Sequence, residues 1–128
     1  SLYRQIVVGN DGVQKALIYS NKGLKYFNDL DYKNAAIEFE KALELNPLDY
    51  TNFENAATAN YMIGNIEKAL DQINTVINEF NPLNGKCEFI KALIFIKMGD
   101  PIGACPLLKT AIDSDYTQAS NAFNNYCN

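Results

Sequence analysis

Residues 16–47, ALIYSNKGLKYFNDLDYKNAAIEFEKALELNP, decide how the rest of the chain folds. Tyr19, Gly23, Tyr26 and Phe27 recur at three- and four-residue intervals, the spacing that gathers side chains on one face of a helix. The polar break Asn28-Asp29-Leu30-Asp31 interrupts the period. Ala35, Ile37, Phe39, Ala42, Leu43 and Leu45 then resume it until Pro47, whose missing amide hydrogen stops a helix. The segment predicts a helical hairpin: a first helix from about Asp11 or Gly12 to Asn28, and a second opening after Asp31, a good N-cap. Gly23 and Ala35 are expected to face each other where the two backbones approach closely, with aromatic rings above and below.

The same spacing continues downstream. Ala69 follows Ala35 by 34 residues, and Gly64 marks the turn of a second hairpin with Phe53, Ala56, Ala57 and Ala59 before it and Ile73, Val76 and Ile77 after it. Pro82 arrives one residue later than Pro47 would place it, so this hairpin's second helix is expected to be longer by a residue. A third unit starts near Asn84, turns at Gly99-Asp100-Pro101 and carries Ala104, Leu108 and Ala111 on its second helix. Pro106 requires that helix either to start near Gly103, leaving the proline in the first turn, or to bend there. Residues 116–126, YTQASNAFNNY, place Ala119, Ala122, Phe123 and Tyr126 on one face and are expected to form a closing helix. At the other end, SLYRQIVVG reads as a helical remnant of a longer protein ended by Gly9, with a short strand-like arm as the competitor because Ile6, Val7 and Val8 are β-branched.

Residues 16–47 resemble the tetratricopeptide repeat. The repeat's large, small, aromatic, small, aromatic, small and proline signature falls on Tyr19, Gly23, Tyr26, Ala35, Phe39, Ala42 and Pro47, with Lys22 replacing the leucine usual before the glycine. In the second unit Asn60 stands where an aromatic is usual. The resemblance implies an all-α, right-handed superhelical stack of antiparallel helix pairs. The expected division is an N-terminal arm at 1–11, repeats at 12–47, 48–82 and 83–114, and a capping helix at 115–128, which would cover the apolar side that the last pair leaves bare.

The totals exclude several classes of function. The chain's 128 residues, 48% of them hydrophobic, are enough for a packed core in a single domain. Eleven basic residues against fifteen acidic ones give a net charge of -4, with no Lys/Arg run from which to build a phosphate-tracking surface, so no nucleic acid is expected. No apolar run reaches the length of a membrane span. The chain has no histidine, so neither a Ser/His nor a Cys/His pair exists, and no catalytic residue, metal site or cofactor is expected. Asp29 with Asp31, and Asp113 with Asp115, lack the glycine and distal glutamate of a calcium loop and read as helix caps.

Function is therefore expected in a groove. In tetratricopeptide-repeat proteins the first helix of each pair lines the concave surface, and the resemblance puts Leu17, Asn21, Leu24 and Phe27, then Asn55 and Tyr61, then Lys86, Phe89, Ile90 and Leu93 there. Phe89 and Ile90 are the favoured contacts, because both are hard to bury on the same helix as Phe95. Relatives that grip a chaperone's C-terminal carboxylate use two basic residues, two asparagines and a further lysine. Those places fall on Ser20, Leu24, Asn55, Lys86 and Ile90, and only Asn55 and Lys86 agree. The expectation is a non-catalytic module that binds a partner peptide or helix, with self-association as a homodimer through the same apolar surface or an exposed repeat end as the alternative.

No two of Cys87, Cys105 and Cys127 stand at zinc-ligand spacing. If the last two helices run antiparallel, the ends carrying Cys105 and Cys127 meet and a disulfide is geometrically open, with ordinary buried thiols as the favoured reading. The ending, from Gly-Asp-Pro-Ile-Gly-Ala-Cys to Tyr-Cys, is similar to those of some bacterial exported repeat proteins. That tilts the expected compartment towards the periplasm or cell surface and away from the cytoplasm.

Overall fold

The computed structural model describes residues 6–128. Among them seven α-helices follow one another, with no strand: α1 (Asn10–Asn28), α2 (Tyr32–Leu45), α3 (Tyr50–Met62), α4 (Ile66–Thr75), α5 (Lys86–Lys97), α6 (Pro101–Asp113) and α7 (Ala119–Tyr126). Each helix packs mainly on its neighbours in sequence, so the molecule is a row of helical hairpins. The starts of three helices are fixed by aspartates whose carboxylates accept orphan backbone N–H groups: Asp31 from Asn34 (3.3 Å), Asp49 from Thr51 (3.0 Å) and Asp100 from Gly103 (2.9 Å). Each such cap contributes about 1 kcal/mol.

The interior divides into three apolar clusters along the row. Ala35, Ala36 and Phe39 of α2 meet Ala56 and Ala59 of α3. Phe53, Ala57, Ala69, Ile73, Val76, Cys87, Ile90 and Ile94 join α3, α4 and α5. Ala92, Ala104, Leu108, Ala111 and Ala119 join α5, α6 and α7. Because each unit buries its apolar face only against the next, stability passes from neighbour to neighbour.

Several local expectations are corrected. Gly23 also makes room for Phe39: a Cβ on Gly23 would clash with the edge of the Phe39 ring, which is 1% exposed. The extra residue before Pro82 widens a turn instead of lengthening an α-helix. Val76–Phe80 is π-helical, and the Asn81 N–H bonds to the Val76 carbonyl (2.8 Å) five residues back. Pro106 does not lie in a first turn, because α6 already starts at Pro101. The carbonyl it strands is that of Ile102, a residue 83% exposed, so the break lies on the solvent side of the helix. The closing helix starts at Ala119 and not at Tyr116, since Asp115 is left-handed (φ 66°) and the Tyr116 N–H turns back onto the Ala111 carbonyl (2.9 Å). Residues 6–9 are not helical. The rest of the arm reading, on residues 1–5, lies outside the described residues.

Candidate functional site

Leu24 and Phe27 from α1, Phe39 from α2, Asn55 and Thr58 from α3, and Lys86 from α5 line one concavity of about 210 Å³. Four of these six, Leu24, Phe27, Asn55 and Lys86, are residues the sequence had assigned to a groove. Leu24 is 43% exposed, an open apolar wall. Phe27 is half-buried, held edge-on against Tyr32 with centroids 4.9 Å apart. Thr58 spends its hydroxyl on the Glu54 carbonyl (2.8 Å) and so offers mainly its methyl group. Leu17 and Asn21 are exposed about two turns and one turn earlier on α1.

Lys86 is the first residue of α5, and its place depends on the glycine before it. Gly85 has φ +77°, and a Cβ there would stand 2.8 Å from both the Ala111 carbonyl oxygen and Tyr116 Cβ. The Lys86 backbone N–H is taken by Asn84 Oδ1 (3.0 Å). Among the described residues no carboxylate lies within ion-pairing distance of the Lys86 ammonium; Lys15, Lys41, Lys68 and Lys109 each have one, and Lys22, Lys25, Lys33, Lys91 and Lys97, like Lys86, do not.

Behind Asn55 and Lys86 lies a polar contact that the sequence did not signal. Glu54 is 2% exposed and accepts the Cys87 S–H at 3.0 Å. Burial, and next the hydrogen bond to Glu54, push the Cys87 thiol well above the usual range. Burial and then the Glu54 charge also raise Tyr116. A second network ties hairpins together: Asn60 Nδ2 donates to Glu40 Oε1 (2.9 Å) and Gln72 Oε1 (2.9 Å), and Gln72 Nε2 donates to Glu40 Oε1 (2.7 Å). Its one visible trace in the sequence is Asn60, the polar residue at an aromatic position.

No family model matches the chain. Human tetratricopeptide repeat protein 4 is 30% identical over 92 residues, covering 66% of this chain and 23% of that protein. The structure of the yeast Sti1 TPR2AB-domain:pHSP90 complex superposes with a TM-score of 0.71 at 22% identity, over 90% of this chain and 43% of that one. This chain has the tetratricopeptide-repeat fold. It spans about a quarter of its human relative and less than half of the yeast chain.

Within this tetratricopeptide-repeat stack, other residues expected in the groove lie elsewhere. Ile90 is 6% exposed in the central core. Phe89 stacks on Tyr116 (centroids 5.3 Å apart) and packs on the C-terminal cluster. The two favoured contacts are therefore corrected to packing residues: α5 is apolar around most of its circumference and is buried between its neighbours, so Phe95 did not need to displace them. Leu93 is half-buried on the same helix. Tyr61 packs at the edge of the central core with the Lys97 ammonium 5.1 Å from its ring centroid, and burial followed by the Tyr126 charge raises its phenol. Cys105 and Cys127 are disulfide-bonded (Cα–Cα 5.7 Å, S–S 2.16 Å). Among the described residues no three His, Cys, Asp or Glu side chains converge as a metal site, and no helix is long and apolar enough to cross a membrane.

Proposed function

We propose that this domain is a non-catalytic docking module whose concave groove takes a segment of another protein. The observation that carries the reading is the unpaired Lys86 beside the apolar walls of Leu24, Phe27 and Phe39, in a chain otherwise rich in acids. The complement of that arrangement is an apolar side chain seated in the pocket with an acidic side chain next to it, and Asn55 supplies hydrogen bonds to the segment's backbone. A terminal carboxylate is not the proposed ligand, because Leu24 and the buried Ile90 occupy two of the polar places such a clamp needs. The repeats run over 12–47, 48–82 and 83–114, and 115–128 closes the stack. Support for a protein partner comes from the yeast Sti1 structure, which is of a complex with pHSP90.

The test is selection from a random-peptide display library on the wild-type domain and on two variants. Wild type is expected to enrich peptides that pair a large apolar residue with an acidic one. Lys86→Glu should weaken those peptides roughly tenfold, about 1.4 kcal/mol, and Leu24→Asp should abolish them. Recovery of the same peptides at equal affinity by Leu24→Asp would sink the groove reading.

Self-association remains a second reading because Ile18 and Ile37 of the first hairpin are 55% and 45% exposed. Light scattering across a concentration series separates the two. A dimer lost on Ile18→Lys with Ile37→Lys supports self-association, and a monomer at all concentrations removes it.

A further inference from the structure

α7 has eight residues, too few for a helix that holds its shape alone in water. Gln118 gives it no side-chain cap, and the turn feeding it contains the left-handed Asp115. It rests mainly on α6, and of its residues only Ala119 is fully buried, with Ala122 and Phe123 half-buried. Cys127, the first residue past the helix, is bonded to Cys105 near the start of α6. Underneath lie Ala104, Leu108 and Ala111, each fully buried. Tyr116, stacked on Phe89, anchors the chain upstream of α7 and does not depend on the sulfur bridge.

We propose that the Cys105–Cys127 disulfide is a redox-operated latch on α7. A dithiol reductant supplies two electrons and two protons: the S–S bond breaks, each sulfur becomes a thiol, and the reductant closes its own disulfide. α7 then leaves α6 and uncovers the apolar face of Ala104, Leu108 and Ala111, while Tyr116 holds the hinge. Reoxidation seats it again. The third cysteine does not interfere, since Cys87 is fully buried and its thiol, bonded to Glu54, stays protonated and so a poor nucleophile.

Hydrogen exchange of the whole chain, oxidised and in dithiothreitol, tests the latch. On reduction, residues 119–126 should exchange up to roughly three-hundredfold faster, the loop-closure effect expected of a bond between residues 22 apart. Protection in α1–α4 should be unchanged, and reoxidation should restore α7. The double variant Cys105→Ser with Cys127→Ser should behave as the reduced protein while keeping its helical circular dichroism. The proposal is overturned if iodoacetamide labels all three cysteines of the denatured, unreduced chain. Unchanged α7 protection on reduction also overturns it. So does equal loss of protection across α5, α6 and α7, which would make the bond a staple of the whole end of the stack.

Discussion

Single residues set the closest approaches in this molecule. At Gly23 two physical effects compete. Alanine is the better helix former by about 1 kcal/mol, but its methyl would enter the space of the Phe39 ring, and overpacking a filled core costs about 1–3 kcal/mol. Packing should win, so Gly23→Ala is expected to lower the urea midpoint. An unchanged or raised midpoint would mean that Phe39 moves freely. Cys87 makes a prediction about pH. An unfolded thiol titrates near about 8.5, and the folded one stays protonated well above that. The folded state therefore binds more protons than the unfolded state above pH ~8.5, and stability falls with a slope approaching about 1.4 kcal/mol per unit for this group. Tyr61 and Tyr116, also raised, add loss of the same sign further into the alkaline range. Urea unfolding at a series of alkaline pH values should show a shallower decline in Cys87→Ala than in wild type, although the variant starts lower because Glu54 loses its donor.

At the scale of the element, the irregular places are those where one residue too many or one amide too few had to be accommodated. The π-helical turn Val76–Phe80 absorbs the additional residue and still presents Phe80 to Phe53 and Tyr50, with centroids 6.1 and 6.2 Å apart. Pro106 persists inside α6 because both it and Ile102 face solvent. Pro106→Ala should restore the bond to the Ile102 carbonyl without removing any packing, stabilising the domain by roughly 1–3 kcal/mol. A thermal melt no higher than wild type would show that the proline is already compensated.

Across the whole molecule, cohesion depends on coupling between adjacent hairpins. Asn60 is the hub of that coupling between the first and second units, since it reaches Glu40 on α2 and Gln72 on α4 from a position 2% exposed. Asn60→Ala should cost about 1–3 kcal/mol. It should also broaden the urea transition as α1–α2 begins to unfold separately from the rest. A simple shift with an unchanged slope would show that apolar contacts alone keep the stack cooperative. The same scale explains the concavity: Leu24, Asn55 and Lys86 come from three different hairpins and meet only because the hairpins stack in register.

Periodicity, turn residues and caps are local, so the repeat resemblance was legible in the letters from Tyr19 to Pro47, and the order of helices and hairpins in the same pattern continued to Tyr126. That Leu24, Phe27, Asn55 and Lys86 line one concavity follows from the same pattern, because stacking at a fixed interval turns sequence spacing into spatial spacing. Which side chains remain uncovered was not legible: Phe89 and Ile90 look like contacts on their own helix and become core once α3, α4 and the Tyr116 turn close over them. The Glu54–Cys87 contact and the Asn60 network likewise join residues at least twelve apart in sequence, whereas the Cys105–Cys127 bond was open in the sequence only on condition that the last two helices run antiparallel. Such pairings follow from how helices cross, a property of the assembled stack that no single helix encodes.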